Sequence, residues 1–275
     1  MAAAPPSSPP DPGAAGWTPR RIAVRVLGLA AAYVLLSRQG YYLSFTPEHI
    51  SPLWAPAGLG LAAALLWGPV ALPGIFLGDL AANLIEGLGG VAGVLSAIAT
   101  TLEVAVVLRL LGRWPGFERG LRRLSDVVVL VAAGLLGAVV GASLGVVGLW
   151  AGHGLSGQAL LASWRIWWIG DALGVMLVTP LLLVWTDPTH AADVPDRRTR
   201  EWWLALGCLA VTAFVGLTRI VSAPTLLVPA VMWLALRFGL RGGTLAAALA
   251  AVFSWWSLRA GAWPLSAGTP HHTVA

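Results

Sequence analysis

The chain has 275 residues, of which 57% are hydrophobic and 11% are charged, and its mean hydropathy is +0.79. Soluble domains carry about 25% charged residues, so this composition excludes a water-soluble globular protein and predicts an all-α, polytopic transmembrane helix bundle. The net charge of +5 comes from 17 cationic residues, all arginine, and because they cluster at the ends of apolar segments they indicate membrane topology and anionic lipid rather than nucleic acid.

The single cysteine, Cys208, lies in an apolar segment. One cysteine excludes an intramolecular disulfide and a cysteine-based metal cage. The sequence also lacks the HExxH, Walker, GxSxG and CxxC motifs, whose residues supply metal ligands, phosphate contacts or nucleophiles. We therefore assign no catalytic residue, metal site or cofactor and interpret the chain as a non-enzyme.

The N-terminal part predicts a tail followed by a first span. Residues 1–19 are rich in Pro, Ala and Ser and are expected to be disordered. Arginines precede the apolar segment 22–36, which we interpret as an uncleaved span with a cytoplasmic N-terminus. The polar loop 38–51 is then expected outside. It contains three aromatic residues interpreted as interface anchors and two polar residues interpreted as solvated: Tyr41, Tyr42, Phe45, Glu48 and His49.

Two short spans, 52–67 and 70–85, are expected next, joined by a tight turn at Gly68–Pro69. Prolines and glycines at 52–60 predict irregular backbone, which membranes tolerate where it lines a cavity or is buried in protein. Asp79 and Asn83 are four residues apart and share a helix face.

A span over 90–112 carries Glu103 in its interior, and the basic loop 113–124 that follows is expected in the cytoplasm. The next span, 126–150, has the tandem GxxxG residues Gly137, Gly141 and Gly145. Such a face favours close helix packing, either within one chain or between two subunits of a homodimer.

The apolar segment 164–185 contains the ionisable residue Asp171. Helical spacing places Asp171 on one side with Gly174 and with the adjacent tryptophans Trp167 and Trp168. Pro180 is expected to kink this helix.

The polar, arginine-containing loop 187–201 is expected on the cytoplasmic side. Three further spans follow, over about 202–217, 226–238 and 244–258, with a short basic turn between the last two. The total is about eight to nine spans, some of them short or interrupted by proline and glycine, followed by a C-terminal tail at 263–275.

Five short motifs occur in a fixed order. They are Trp54-Ala55-Pro56-Ala57-Gly58, Pro73-Gly74-Ile75-Phe76-Leu77-Gly78 with Asn83, Thr101-Leu102-Glu103, Trp167-Trp168-Ile169-Gly170-Asp171-Ala172-Leu173-Gly174 with Pro180, and Arg237-Phe238-Gly239-Leu240-Arg241-Gly242. Together they resemble the MASE1 family, the integral-membrane sensory domain of bacterial signalling proteins, over residues 20–262.

The resemblance implies a sensory input module in the bacterial inner membrane. Members of the family are typically fused to cytoplasmic histidine kinase or diguanylate cyclase domains. Because this chain ends near the position of a final span, we expect either a stand-alone module that works through an output partner or a truncated chain. No kinase or cyclase activity is assigned to its residues.

Carboxylates inside a membrane are costly and usually face a bundle interior or a wet cavity. We expect a polar pocket for a small ligand or a proton, formed by Asp171, Glu103, Asp79, Asn83, Trp168 and Trp54. The structural alternative is that the carboxylates join helices and that the tryptophans belong to the aromatic belt. The corresponding functions are a membrane sensor, a small-molecule or ion transporter, or a scaffold held together by its glycine faces.

Overall fold

The structure, a computed structural model, describes residues 18–42, 44, 50–193, 199–217 and 223–259. Residues 1–17 of the tail expected at 1–19 lie outside these residues, as do the tail at 263–275 and Phe45, Glu48 and His49, whereas Pro19 begins the first helix. The described ranges form helices without a strand. The α-helices are α1 (Pro19–Tyr42), α2 (Ala55–Trp67), α3 (Leu72–Ile85), α4 (Gly90–Gly112), α5 (Leu124–His153), α6 (Gly157–Thr186), α7 (Thr199–Leu217) and α8 (Ala223–Arg259).

Six helical segments in the described ranges are long and apolar enough to cross a bilayer. They are Pro19–Tyr42, Ala55–Ile85, Gly90–Gly112, Leu124–His153, Gly157–Thr186 and Leu227–Trp256. Large apolar side chains point outward from these helices, and Leu236 is 78% exposed. Such a surface is suited to lipid rather than to water. The prediction of an all-α, polytopic membrane bundle is therefore confirmed.

Two of the six segments are interrupted. A 3₁₀ turn at Gly68–Ala71 separates α2 from α3, and Gly60 of α2 lies against Ile75 of α3, so the chain folds back there. In α8 the backbone leaves helical geometry at Phe238 and Gly239. The count of eight to nine spans is not confirmed by the six segments and stays a prediction.

Three helices reach further than expected. α1 continues to Tyr42 instead of ending near residue 36, because Tyr41 is buried and packs edge-to-face on Trp54 with 5.1 Å between ring centroids. α5 continues to His153 and is followed by Gly154, which has the left-handed φ of 67° that glycine adopts readily. α6 begins at Gly157, ahead of the expected start at residue 164. The two loops predicted over 38–51 and 151–163 are correspondingly shorter.

The basic turns meet at one end of the bundle. Arg119 donates a hydrogen bond of 2.7 Å to the Leu65 carbonyl at the end of α2, and Arg122 donates one of 2.8 Å to the Thr189 carbonyl after α6. Arg241, beside the break in α8, lies over the Trp185 ring. We call this region, formed by the 113–123 turn, the 187–190 turn and the α8 break, the arginine-rich end. Its location in the cytoplasm stays a prediction.

A close-packed apolar layer lies next to the arginine-rich end, between helices α2, α4, α5 and α6. Its centre includes the fully buried residues Leu61, Val107, Leu130 and Val175. A second cluster joins α7 to α8 around Leu234 and Phe238. The first layer forms the floor of the site described next.

Candidate functional site

A partly open cavity lies at the end of the bundle opposite the arginine-rich end. Its volume is about 50 Å³, whereas by the same measure one water molecule needs roughly 10–15 Å³. The space therefore suits a few waters or a ligand of a few heavy atoms. It is lined by Tyr41, Ile50, Ser51, Trp54, Asp79, Asn83, Leu88, Ala92, Ser96, Thr100, Gly145, Leu149, Trp167 and Asp171.

Close contact between α2 and α6 positions one wall of the cavity. The Trp54 amide donates a hydrogen bond of 3.0 Å to the Gly170 carbonyl, and the Thr179 hydroxyl donates one of 3.0 Å to the Gly58 carbonyl. Gly174 lacks a side chain where the Trp54 carbonyl approaches, so the two helices touch through their backbones. The prediction of irregular backbone over residues 52–60 is wrong for 55–60, because α2 is helical from Ala55 with a proline in its first turn. The non-helical residues 52–54 present the Trp54 indole to the cavity.

Asp79 joins three helices through its carboxylate. It accepts hydrogen bonds from Tyr33 of α1 at 3.1 Å, from Asn83 of α3 at 2.8 Å and from Ser96 of α4 at 2.9 Å. The Trp54 indole extends this network by donating to the Tyr33 hydroxyl at 3.3 Å. Asp79 is thus a buried carboxylate whose acceptor capacity is used within the protein, as buried polar groups generally require.

Glu103 and Asp171 form a different arrangement. Both are buried, with 1% and 2% of their surface exposed, and their side chains contact each other between α4 and α6. The ideal Cβ position on Gly141 would contact the Glu103 carboxyl and lie 3.3 Å from Asp171 Oδ2, so this glycine of α5 provides the room for the pair.

The buried Glu103 carboxyl has neither a good hydrogen bond nor an ion pair among the described residues. Neither of its oxygens has a hydrogen-bond partner of good geometry among the described residues. No ion pair within 4 Å involves Glu103, Asp171 or Asp79 in the part of the chain that the structure describes. Two adjacent buried carboxylates repel each other strongly at low dielectric, so the pair favours the uptake of positive charge.

The structure brings most of the sequence-predicted residues together. Asp171, Asp79, Asn83 and Trp54 line the cavity, and Glu103 lies directly behind Asp171. Their role in binding or sensing stays a prediction.

Trp168 is placed elsewhere. Its indole donates to the Leu135 carbonyl at 3.1 Å and stacks on Trp164 with 6.0 Å between centroids. The cavity is lined instead by Trp167, whose ring packs on Gly145 and whose side chain interacts with Asp171. Helical spacing marked both tryptophans, since they precede Asp171 by four and three residues, but did not choose between them.

Sequence reasoning missed three polar members of the site. Tyr41, expected as an interface anchor, donates to Asn83 at 3.1 Å and lines the cavity. Tyr33 and Ser96 hold Asp79. Tyr33 and Ser96 lie in two predicted apolar spans, where a buried hydroxyl group needs a partner, and this was the available signal.

The glycine faces pack within the chain. Gly137 of α5 faces Val107 and Glu103 of α4, Gly145 faces Trp167 of α6, and Gly174 faces α2. Pro180 lies inside α6, which continues through it. A homodimer remains untested by these intrachain contacts.

The family model for MASE1 matches residues 25–273, essentially the whole chain. No curated protein and no solved structure matches the chain.

Proposed function

The chain belongs to the MASE1 family of membrane-associated sensory domains, and we propose that it detects a small ligand or a proton at the cavity beside Asp171. Occupation of the cavity would favour one packing of the surrounding helices over another, and a cytoplasmic output partner of the histidine kinase or diguanylate cyclase type would respond to that shift in population.

The observation that carries this proposal is the contact between Asp171 and Glu103. The first residue lines the cavity, and the second is buried without a hydrogen-bond partner of good geometry among the described residues. A proton or a positively charged group would relieve the repulsion between α4 and α6. The free energy of the two helix packings would therefore depend on what occupies the cavity.

The same helices lead to the arginine-rich end. α4 and α5 are joined there by the 113–123 turn, and α6 leads into the 187–190 turn. The two turns are linked by the Arg122 bond to Thr189 and by a contact of 2.7 Å between His190 and the Gly120 carbonyl. A movement of α6 relative to α4 would therefore strain contacts at the end where we expect the output partner.

A distance measurement tests the coupling without a known ligand. In a Cys208→Ala background, spin labels at Arg113 and Pro188, both exposed, report the separation of the two turns. We expect Asp171→Asn, which removes the charge next to Glu103, to shift the distance distribution. Gly207→Ala in α7, where nothing lies within 4 Å of the added Cβ, is the control and should leave the distribution unchanged.

The signalling experiment joins an output domain to the chain and measures its product. Asp171→Asn should change the output, whereas Gly207→Ala, whose added Cβ has nothing within 4 Å, should not. An unchanged response at normal expression would remove Asp171 from the mechanism.

Transport is the alternative function, favoured by the interrupted helices and by the intramembrane carboxylates. The buried layer of Leu61, Val107, Leu130 and Val175 between the cavity and the arginine-rich end argues against it, because a pathway would have to open that layer. Uptake by proteoliposomes separates the two functions, and substrate flux would contradict a sensor-only role.

A further inference from the structure

We infer that the cavity binds a small organic ammonium ion. This inference rests on the proposed sensory site and adds the chemical class of its ligand. It is drawn from Asp171 and the unpartnered Glu103 behind it, from the occupied hydrogen-bond donors of the cavity wall, from the aromatic side chains of that wall and from the cavity volume.

The ionisable carboxyl groups of the cavity have no basic side chain beside them among the described lining residues. Asp79 and Asp171 line it, and Glu103 contacts Asp171. No Arg, Lys or His is among the described residues that line the cavity. An anionic ligand would add to this negative charge, whereas a cation would compensate it.

The hydrogen-bond donors of the wall are already used. The Ser96 hydroxyl and the Asn83 amide donate to Asp79, the Tyr41 hydroxyl donates to Asn83, and the Ser51 hydroxyl donates to the Leu53 carbonyl. Asp171, by contrast, lines the cavity with a carboxylate, and the oxygens of Glu103 behind it lack a good partner among the described residues. A ligand that fits must therefore bring N–H donors or positive charge, because a carboxylate or carbonyl ligand would find too few donors.

The aromatic side chains of the cavity wall favour an organic cation over a metal ion. Trp54, Tyr41 and Trp167 line the cavity, and aromatic rings attract ammonium groups through their negative faces. Among the described residues, no three His, Cys, Asp or Glu side chains are close enough together to hold a metal. The volume of about 50 Å³ suits an ammonium group with a few further heavy atoms.

The test measures binding of radiolabelled ethylammonium to the full chain in lipid nanodiscs. Ethanol, acetate and sodium chloride at equal concentration serve as competitors. We expect saturable binding that unlabelled ethylammonium displaces and the three competitors do not. Binding that sodium displaces equally well, or the absence of saturable binding, would overturn the assignment of an organic ammonium ligand.

Variants place the binding in the cavity. Asp171→Asn should weaken ethylammonium binding by about tenfold or more through the loss of a charge-assisted contact. Glu103→Gln should also weaken it, because it removes the negative charge behind Asp171. Glu118→Gln should bind like the parent. Using two variants guards against one of them failing to fold, and equal binding by all folded variants would refute the site.

Binding and signalling results separate the two proposals. If ethylammonium does not bind but Asp171→Asn still changes the output, the ligand class is wrong and the sensory function stands. If ethylammonium binds and both variants abolish binding without any effect on output, the site stands and the sensory function fails.

Discussion

Replacement of Gly174 by alanine tests the backbone contact on which the cavity wall depends. An alanine Cβ at this position would contact the Trp54 carbonyl oxygen and lie 2.8 Å from its carbonyl carbon. Ordinary contacts of a Cβ begin at 3.4 Å, so α2 and α6 would have to separate by at least 0.6 Å, the difference of these two values. Neither atom belongs to a side chain that can rotate away.

The expected cost follows from three contributions. Overpacking a close contact costs about 3 kcal/mol at the upper end of its usual range. Lengthening the 3.0 Å bond from Trp54 to Gly170 adds about 1 kcal/mol. The better helix propensity of alanine offsets about 1 kcal/mol. We expect Gly174→Ala to lower the free energy of unfolding by about 3 kcal/mol.

Unfolding in mixed micelles with increasing sodium dodecyl sulfate, followed by circular dichroism, measures this change. Gly207→Ala is the matched control, because nothing lies within 4 Å of the added Cβ, and it should stabilise α7 by up to about 1 kcal/mol. If Gly174→Ala were as stable as Gly207→Ala, the close approach of α2 and α6 would be refuted.

Three further predictions concern the site and its surroundings. Trp167→Leu should weaken ethylammonium binding by about tenfold, whereas Trp168→Phe should leave binding unchanged and cost about 1 kcal/mol of unfolding free energy for its lost hydrogen bond. Ser96→Ala removes one of the three side chains that donate to Asp79. It should lower the free energy of unfolding, measured by detergent titration, by about 1–3 kcal/mol. The Thr189 hydroxyl and amide hold the pKa of Asp187 below its usual value. The stabilisation by Asp187 is therefore complete above the unfolded pKa of about 3.9 and is lost as the pH falls through the folded value. Hydrogen exchange of the 187–190 turn, corrected for intrinsic rates, should show this loss, and Asp187→Asn should remove the pH dependence.

Local spacing was enough to predict which faces carry the site. Asp79 and Asn83 share a face because they are four residues apart, and the structure shows them bonded to each other at 2.8 Å. The turn at Gly68–Pro69 follows from two residues that disfavour helix continuation, and a 3₁₀ turn occupies Gly68–Ala71.

Helix neighbours could not be predicted in the same way. The bond between Thr179 and Gly58 joins residues 121 positions apart, and no periodicity in one sequence identifies such a pair. The choice between Trp167 and Trp168 depends on the same information, because their helical directions differ by about 100° and both flank the Asp171 face. The position of α5 decides which tryptophan lines the cavity, because Gly145 leaves room for Trp167 and the Leu135 carbonyl binds Trp168.

The short helix α2 is held at both of its ends. It has 13 residues and is therefore about 20 Å long, with Trp54 bonded to α6 at the cavity and the Leu65 carbonyl bonded to Arg119 in the 113–123 turn. A helix of this length bends little, so it should move as a rigid body. A displacement of Trp54 along the axis of α2 would then displace Arg119 by a similar distance. The 113–123 turn is therefore where a translation of α2 along its own axis should first be detected.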